Sequence, residues 1–446
     1  MKKILSIIAL SCTITASAQT YTLEQLKDSA LQNNIAIRKA RHSIDAAQQQ
    51  RKEAFTKYFP TVSGTGLWFN ANKGMAQTEL NLSEQISPEL GMALAQSLPA
   101  EALAALGNPI SVSMMKNGTI AGITAVQPVF AGGQIINGNR LAKVGEDVSR
   151  LQLQLSENEV EKQTEQYYWQ LVSLQEKMKT IEAVQALLAD IHKDVDVAVR
   201  AGVAMKNDLL QVQLRQNDVE SQKLKLQNGI GIVRLLLGQY CGLYNESFSV
   251  ESLVFSDDTS MRVIKQDYNQ ALLGTAEYQL LNKQVQATNL QRQMEIGKNL
   301  PTVGVGAGYN YHNLLDNNHS FAMVFATVSV PISDWWGGSH AIKRKKIAQQ
   351  QAEEQLADNS ELLKIRMQNA WNNVGESRQQ LQIAQRSIEQ AEENLRLNRD
   401  YYKAGTSKMS DLLEAQLLYQ QSLDKHTDAY ADLQNKLLEY RQATGQ

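Results

Sequence analysis

The chain has 446 residues, of which 43% are hydrophobic and 20% are charged, and its formal net charge is −2. This composition is in the range of folded proteins, and the length allows two or three ordinary domains. The near-neutral charge excludes the strongly basic balance of a typical nucleic-acid-binding protein, so no nucleic-acid partner is expected.

Residues 1–18 have the pattern of an export signal. A basic start precedes an apolar run at 4–10, and Ala16-Ser17-Ala18 forms a small-residue cleavage site. The mature chain is therefore expected to begin at Gln19. In the alternative interpretation Cys12 is processed and carries a lipid, although the residues before it fit a lipid-attachment site poorly.

The placement of proline divides the rest of the chain. All seven prolines fall in two windows, Pro60 to Pro128 and Pro301 to Pro331. Because proline is excluded from helix interiors, this placement predicts two non-helical windows in an otherwise helical chain. No stretch after the signal has the run of about 20 apolar residues that a membrane-spanning helix needs.

Residues 134–200 are predicted to form one long helix that ends at Ala201-Gly202. At about 1.5 Å of rise per residue it would be roughly 100 Å long, several times the width of a globular domain. Its apolar residues recur about every 3.5 residues, the period of a helix that packs along its length against other helices. This apolar seam consists of Leu171, Leu174, Met178, Ile181, Val184, Leu188, Ile191, Val195 and Val199.

The sequence contains an internal duplication. Three pairs of segments match between its halves: Pro60-Thr61-Val62 and Pro301-Thr302-Val303, Gly132-Gly133 and Gly337-Gly338, and Asp208-Leu209-Leu210 and Asp411-Leu412-Leu413. The first repeat spans 19–242, a linker spans 243–261, and the second repeat spans 262–446. Phe248, Val250, Leu253 and Phe255 predict a short strand within the linker.

Each repeat is predicted to contain a lead-in helix, two strands, a long helix and a shorter final helix. After a lead-in helix at about 23–57, the first repeat has strands 60–70 and 119–130 and helices 134–200 and 207–237. After a lead-in helix at about 263–298, the second has strands 301–311 and 321–331 and helices 339–403 and 410–442. Strands of about ten residues with alternating apolar side chains match the length and pattern of membrane-barrel strands.

The first repeat also has an enlarged loop, 71–117, between its strands. This loop is interpreted as an extracellular element, either a receptor or plug or a surface elaboration without chemistry. Four strands are too few to close a barrel, and open sheet edges are not tolerated in lipid. The chain is therefore expected to associate with itself.

The resemblance that these features carry is to the outer membrane efflux protein family, the TolC-like exit ducts. It rests on two strand exits and two helix tips: Pro128 with Gly132 and Gly133, Pro331 with Gly337 and Gly338, Ala201-Gly202-Val203, and Tyr402-Lys403-Ala404-Gly405-Thr406. The resemblance implies a mixed α and β fold, in which an internally duplicated α-helical tunnel accompanies four β-strands per chain. Three chains would complete a 12-stranded outer-membrane β-barrel, and the strand exits would form the barrel-to-tunnel joint.

The resemblance also implies a periplasmic gate. The gate carboxylates of the family map onto Asp411 and Glu414, which lie three residues apart on one helix face. Tyr402 matches the tyrosine that braces the closed tips, with Asp208 as its expected partner, while Ser407 stands where the family has an arginine. In the alternative interpretation Asp411 and Glu414 only complement a helix N-terminus.

The implied partners are the other copies of a homotrimer, outer-membrane lipid, a periplasmic adaptor (membrane fusion) protein and an inner-membrane pump. The tip residues Gly202, Val203, Gly405 and Thr406 are predicted to dock the adaptor.

No pattern of catalytic residues is recognisable, so neither an enzyme activity nor a cofactor is expected. Beyond the signal the chain has one cysteine, Cys241, which excludes an internal disulfide framework. His312 and His319 flank a strand-tip loop, where solvated side chains are expected rather than metal ligands. The predicted function is a passive outer-membrane exit duct for efflux of small molecules or type I secretion. The alternative is a non-channel periplasmic coiled-coil scaffold.

Overall fold

The computed structural model describes residues 19–80, 86–99, 101–102, 110–244, 248–252, 263–314 and 317–446. The predicted export signal and Cys12 lie outside these residues. Within them, no helix is both long and apolar enough to cross a membrane.

The described residues form a mixed α and β fold that is mostly helical. The strands are β1 (Gln19–Tyr21), β2 (Thr61–Asn70), β3 (Ala76–Leu80), β4 (Ile110–Met114), β5 (Asn117–Ala131), β6 (Phe248–Val250), β7 (Thr302–Asn313) and β8 (Asn318–Ser329). The helices are α1 (Leu23–Asn33), α2 (Ile35–Thr56), α3 (Pro88–Ser97), α4 (Gln134–Arg200), α5 (Lys206–Cys241), α6 (Tyr268–Gly274), α7 (Ala276–Lys298), α8 (Asp334–Lys403) and α9 (Met409–Ala443).

The chain divides into two compact units. A helical unit comprises the described residues of 19–48, 144–286 and 350–446, and a strand unit comprises those of 49–143 and 287–349.

In the strand unit the two predicted strand pairs form one antiparallel sheet of order β2-β5-β7-β8. The two repeats are joined by the pairing of β5 with β7, which runs from Thr119↔Asn313 to Ala131↔Thr302 with a register shift between Pro128 and Phe130. β2 and β8 are the edges of this sheet, so each has one row of backbone groups without a strand partner among the described residues.

The enlarged loop of the first repeat contains regular structure in its described part. β3 pairs with β4 in antiparallel register, and α3 begins at Pro88, a residue suited to the first turn of a helix. These elements account for part of the extra length between β2 and β5.

The apolar seam of α4 contributes to two of the hydrophobic clusters of the helical unit. Leu171, Ile181, Val184, Leu188, Ile191 and Val195 are all buried. The C-terminal part of the seam, from Ile181 onwards, packs with Val212 and Val219 of α5 and with Met409 and Leu412 of α9. The predicted coiled-coil period therefore corresponds to a buried seam shared by helices of both repeats.

Each predicted lead-in helix is interrupted at an equivalent position of the two repeats. Asn34 separates α1 from α2: its side-chain oxygen accepts a hydrogen bond from Ala36 N at 2.8 Å, and its amide donates to Tyr240 O at 3.1 Å. Thr275 separates α6 from α7, and its hydroxyl donates to Leu272 O at 2.8 Å. Asn and Thr side chains compete with the helix for backbone groups, which explains both interruptions.

The linker contains the expected short strand, and this strand has a partner that was not predicted. β6 pairs in parallel with β1 at the start of the described chain, and Phe248 and Val250 are buried against the core of the helical unit. Leu253 and Phe255 lie outside the described residues.

Asp424 of α9 provides a test of this helical packing. Its buried Oδ1 has no hydrogen-bond partner among the described residues, and burial raises its pKa from 3.8 to about 6, against the opposing effect of Lys177. When an acid has a higher pKa in the folded state than in the unfolded state, the free energy of unfolding of the protein falls as the pH rises from about 4 to above 6. We expect Asp424→Asn to raise the free energy of unfolding at pH 8 by about 1 kcal/mol, allowing for partial exposure, and to leave it unchanged at pH 4. Thermal unfolding of the variant and the wild type at both pH values measures the difference in the free energy of unfolding. An equal difference at pH 4 and pH 8 would contradict the raised pKa of Asp424.

Candidate functional site

The two helix tips have the same backbone geometry. Gly202 and Gly405 follow α4 and α8 with φ of 74° and 75°, the left-handed conformation that glycine adopts without steric cost. Gly202 N donates to Val199 O at 3.1 Å and Val203 N donates to Ala198 O at 3.0 Å. This pair of hydrogen bonds defines a Schellman motif, a common way to end a helix.

The second tip repeats these bonds one for one. Gly405 N donates to Tyr402 O at 3.0 Å, and Thr406 N donates to Tyr401 O at 2.9 Å. The Thr406 hydroxyl also donates to Tyr401 O at 3.1 Å. The predicted role of glycine in both turns is confirmed, and neither glycine has a neighbouring atom within 4 Å of the position that a Cβ would take.

Asp208 and Asp411 occupy equivalent positions just after the two tips. Met205 N donates to the Asp208 carboxylate at 3.3 Å, and Lys408 N donates to the Asp411 carboxylate at 3.2 Å. Each carboxylate thus satisfies a backbone donor at the start of its helix, α5 or α9. The alternative interpretation of Asp411 as a helix-terminus acid therefore describes a contact that exists within one chain.

The Asp411 carboxylate has further donors. The hydroxyls of Ser407 and Ser410 donate to it at 3.1 and 3.2 Å. The backbone bond from Lys408, followed by the bond from Ser407, lowers the pKa of Asp411 below its usual value of 3.8, so the carboxylate stays ionised near neutral pH. Ser407, which replaces the family arginine, is thus a direct partner of the acid. Glu414 is exposed one turn further along α9.

Tyr402 and Asp208 lie together at the tips. Both line a cavity of about 930 Å³ whose other walls include Gly202, Gly405 and Met205. Burial, followed by the negative charge of Asp208, raises the pKa of Tyr402 above 10. The structure therefore brings these two predicted partners into one electrostatic environment.

The tips also present apolar side chains to solvent. Val203 is 80% exposed and Met205 is 74% exposed. Val203, Thr406 and both tip glycines are thus accessible on the surface of one chain, which is the arrangement that a docking surface requires.

The first strand-to-helix joint depends on two glycines with positive φ. β5 ends at Ala131, Gly132 and Gly133 have φ of 60° and 75°, and α4 begins at Gln134. A Cβ on Gly132 would overlap the backbone of Gly297 near the end of α7, and a Cβ on Gly297 would overlap the Gly132 carbonyl. Gly297 was missed in the sequence, since nothing local marks a helical glycine as a contact for a distant turn.

The second joint has a different geometry. The helix predicted at 339–403 begins at Asp334, so Gly337 and Gly338 lie in its first turns and not in a turn before it. The two residues that the second repeat inserts between Pro331 and this glycine pair allow the helix to begin earlier, and neither glycine has positive φ. Gly338 instead allows close approach of Asn299, whose side chain a Cβ would overlap.

The sheet of the strand unit has two different faces. Val324, Val328 and Tyr309 are exposed on one face, Val324 at 87%. The other face carries Gly304, Gly306 and Gly308, where the Phe325 ring covers Gly306. An exposed apolar face on a membrane-length sheet is the pattern of strands that contact lipid.

Within the part of the chain that the structure describes, no three His, Cys, Asp or Glu side chains are grouped as a metal site.

Comparisons with known proteins agree with this geometry. Residues 268–446, most of the second repeat, match the family model "Outer membrane efflux protein". No curated protein matches the chain in sequence.

The solved structures show the extent of the shared fold. The Campylobacter jejuni CmeC outer membrane channel has 15% identity and a TM-score of 0.73, and the match covers 95% of this chain and 85% of that chain. The outer membrane protein VceC of Vibrio cholerae has 13% identity and a TM-score of 0.72, with 95% and 96% covered. The open state of the Neisseria gonorrhoeae MtrE outer membrane channel has 14% identity and a TM-score of 0.70, with 95% and 88% covered.

These matches span both repeats, and at such identities they establish the fold. The family model matches the second repeat, over residues 268–446. The resemblance predicted from the sequence is confirmed: residues 268–446 match the outer membrane efflux protein family model, and the fold of the chain is similar to that of solved outer membrane channels over both repeats.

Proposed function

We propose that three copies of the chain form a passive outer-membrane exit duct for small molecules. Each copy would contribute its four strands to a 12-stranded barrel and its helices to a periplasmic tunnel. The duct would serve a tripartite efflux pump or a type I secretion system, together with a periplasmic adaptor and an inner-membrane pump.

The observation that carries this proposal is the open sheet of the strand unit. β2 and β8 each have a free edge, and one sheet face is exposed and apolar. In lipid every backbone donor and acceptor must be paired, and a four-stranded sheet cannot pair its own edges by closing. Pairing β8 of one copy with β2 of the next removes all free edges when the ring closes.

Native mass spectrometry of the purified protein in detergent tests the assembly. We expect a trimer as the main species, because three four-stranded sheets supply the strands of the family barrel. A folded protein that stays monomeric or dimeric under these conditions would contradict the proposed barrel.

The two helix tips are proposed as the docking surface for the adaptor. Gly202→Arg and Gly405→Arg would place a long charged side chain at each tip and strain a left-handed turn by about 1–2 kcal/mol. We expect trimers that assemble but no longer support export, because the tips could not pack against the adaptor. Ile365→Arg, on an exposed position of α8 far from both turns, is the control. Normal export by the double glycine variant would remove the tips from the docking surface.

The acids at the tips are proposed as the gate of the duct. In a trimer the α9 tips would converge, bringing Asp411 and Glu414 of three copies to one opening. Tyr402 and Asp208 would hold the two tips of each copy together. The shared cavity and the effect of Asp208 on the pKa of Tyr402 support this pairing.

A further inference from the structure

Two histidines face each other at the end of the β7–β8 hairpin. His312 of β7 and His319 of β8 are directly opposite in the antiparallel register. Their ring centroids are 5.3 Å apart, with an angle of 46° between the ring planes. Both side chains therefore lie on the same face of the sheet.

This spacing is compatible with a shared metal ion. Imidazole nitrogens bind Zn²⁺ at about 2.0–2.1 Å, and in a tetrahedral arrangement two such rings have centroids about 5 Å apart. Side chains directly opposite on antiparallel strands are held near this separation by the backbone, since their Cβ atoms lie about 4.5–5.5 Å apart. The sheet thus brings the two rings close to a chelating geometry without any rearrangement of the strands.

The surroundings favour an ion over an internal hydrogen bond. His312 Nδ1 is buried and has no hydrogen-bond partner among the described residues. The ring of Phe321 lies near both imidazoles, with centroids 6.2 and 6.1 Å away, and restricts their orientation.

We propose that His312 and His319 form a binding site for a divalent transition-metal ion of the Cu²⁺, Ni²⁺ and Zn²⁺ class. Imidazole ligands select these ions over Mg²⁺ and Ca²⁺, which prefer oxygen. His319 is exposed, so water completes the coordination shell and the bound ion exchanges readily. In the proposed barrel this face of the sheet would line the lumen, but metal binding itself does not depend on that proposal.

Titration calorimetry of the purified, tag-free full-length protein in detergent with NiCl₂ tests the site. We expect one ion per chain and the same site for Cu²⁺, with no heat from MgCl₂. His312→Ala and His319→Ala should each lower the Ni²⁺ affinity by at least about tenfold, since each removes one of two protein ligands.

His340→Ala is the matched control, because His340 is an exposed histidine of α8 outside the hairpin. It should leave the Ni²⁺ affinity unchanged, and circular dichroism should show the same fold for all three variants. The proposal is overturned if the wild-type protein does not bind Ni²⁺, or if His319→Ala binds it as tightly as the wild type.

Discussion

Gly132→Ala is expected to lower strongly the stability of the folded chain and its yield in the membrane. Two costs act at this position. A residue with a Cβ at a φ of 60° costs about 1–2 kcal/mol. In addition, the new Cβ would overlap the Gly297 backbone, which cannot rotate away as a side chain could. Overpacking of this kind costs about 1–3 kcal/mol or more, so the sum is a large part of the stability of a typical domain.

Two further glycine variants separate these costs. Gly133→Ala meets only the side chain of Asn137, at 3.6 Å, and has a φ of 75°, so it should show the backbone strain alone. Gly297→Ala lies in a helix without positive φ and should show the overlap alone. The yield of folded protein in outer-membrane fractions and its thermal unfolding measure the effects. If Gly132→Ala is as stable as Gly133→Ala, the close contact with Gly297 does not constrain the joint.

Removing the charges of Asp411 and Glu414 is expected to weaken block of the channel by divalent cations and reduce its cation selectivity. In a trimer these residues would supply six carboxylates to one opening, and this concentration of negative charge would attract cations. The measurement is the reversal potential and the divalent block of single channels in planar bilayers.

The structure shows how to separate this gate effect from helix capping. Asp411→Ala would remove both the charge and the acceptor for Lys408 N. Asp411→Asn keeps an acceptor oxygen and removes only the charge, so Asp411→Asn with Glu414→Gln is the sharper variant. Asp267→Asn makes the same change at the N-terminus of α6, away from the tips, where Asp267 Oδ1 accepts a hydrogen bond from Asn269 N, and it is the matched control. Wild-type selectivity and divalent block in the Asp411→Asn/Glu414→Gln variant would remove these acids from the gate.

The architecture was largely predictable because its main signals are local in sequence. Proline exclusion marked the strand windows, and six of the nine predicted seam residues of α4 are buried, while Leu174, Met178 and Val199 are partly buried. The length of α4 was obtained without error, since Ala131-Gly132-Gly133 and Ala201-Gly202 bound it with glycines that adopt positive φ.

The missed features depend on contacts between distant segments. The pairing of β1 with β6 joins the start of the described chain to the linker. β1 was not predicted, because its three residues form too short a pattern to be recognised. The breaks at Asn34 and Thr275 depend on side-chain hydrogen bonds. The start of α8 was misplaced because Gly337-Gly338 was assumed to repeat the turn at Gly132-Gly133.

The candidate site shows the same division. The duplicated tip sequence predicted both turns, and the family resemblance implied that Tyr402 lies near Asp208. It did not show that Asp208 and Asp411 make the same backbone contact, because capping geometry depends on side-chain rotamers. Likewise, His312 and His319 face each other because of the register of β7 with β8. The positions of the two histidines in the sequence do not specify that register.

Single-channel recording of the purified trimer in planar lipid bilayers tests the central claim most directly. We expect discrete, stable and cation-selective conductance steps, because the proposed duct is a closed barrel continuous with a tunnel whose opening carries carboxylates. The recording requires a sample whose trimeric state and helical content have been verified. A correctly folded trimer that inserts into the bilayer but conducts no ions would contradict the exit duct and favour a non-channel coiled-coil scaffold.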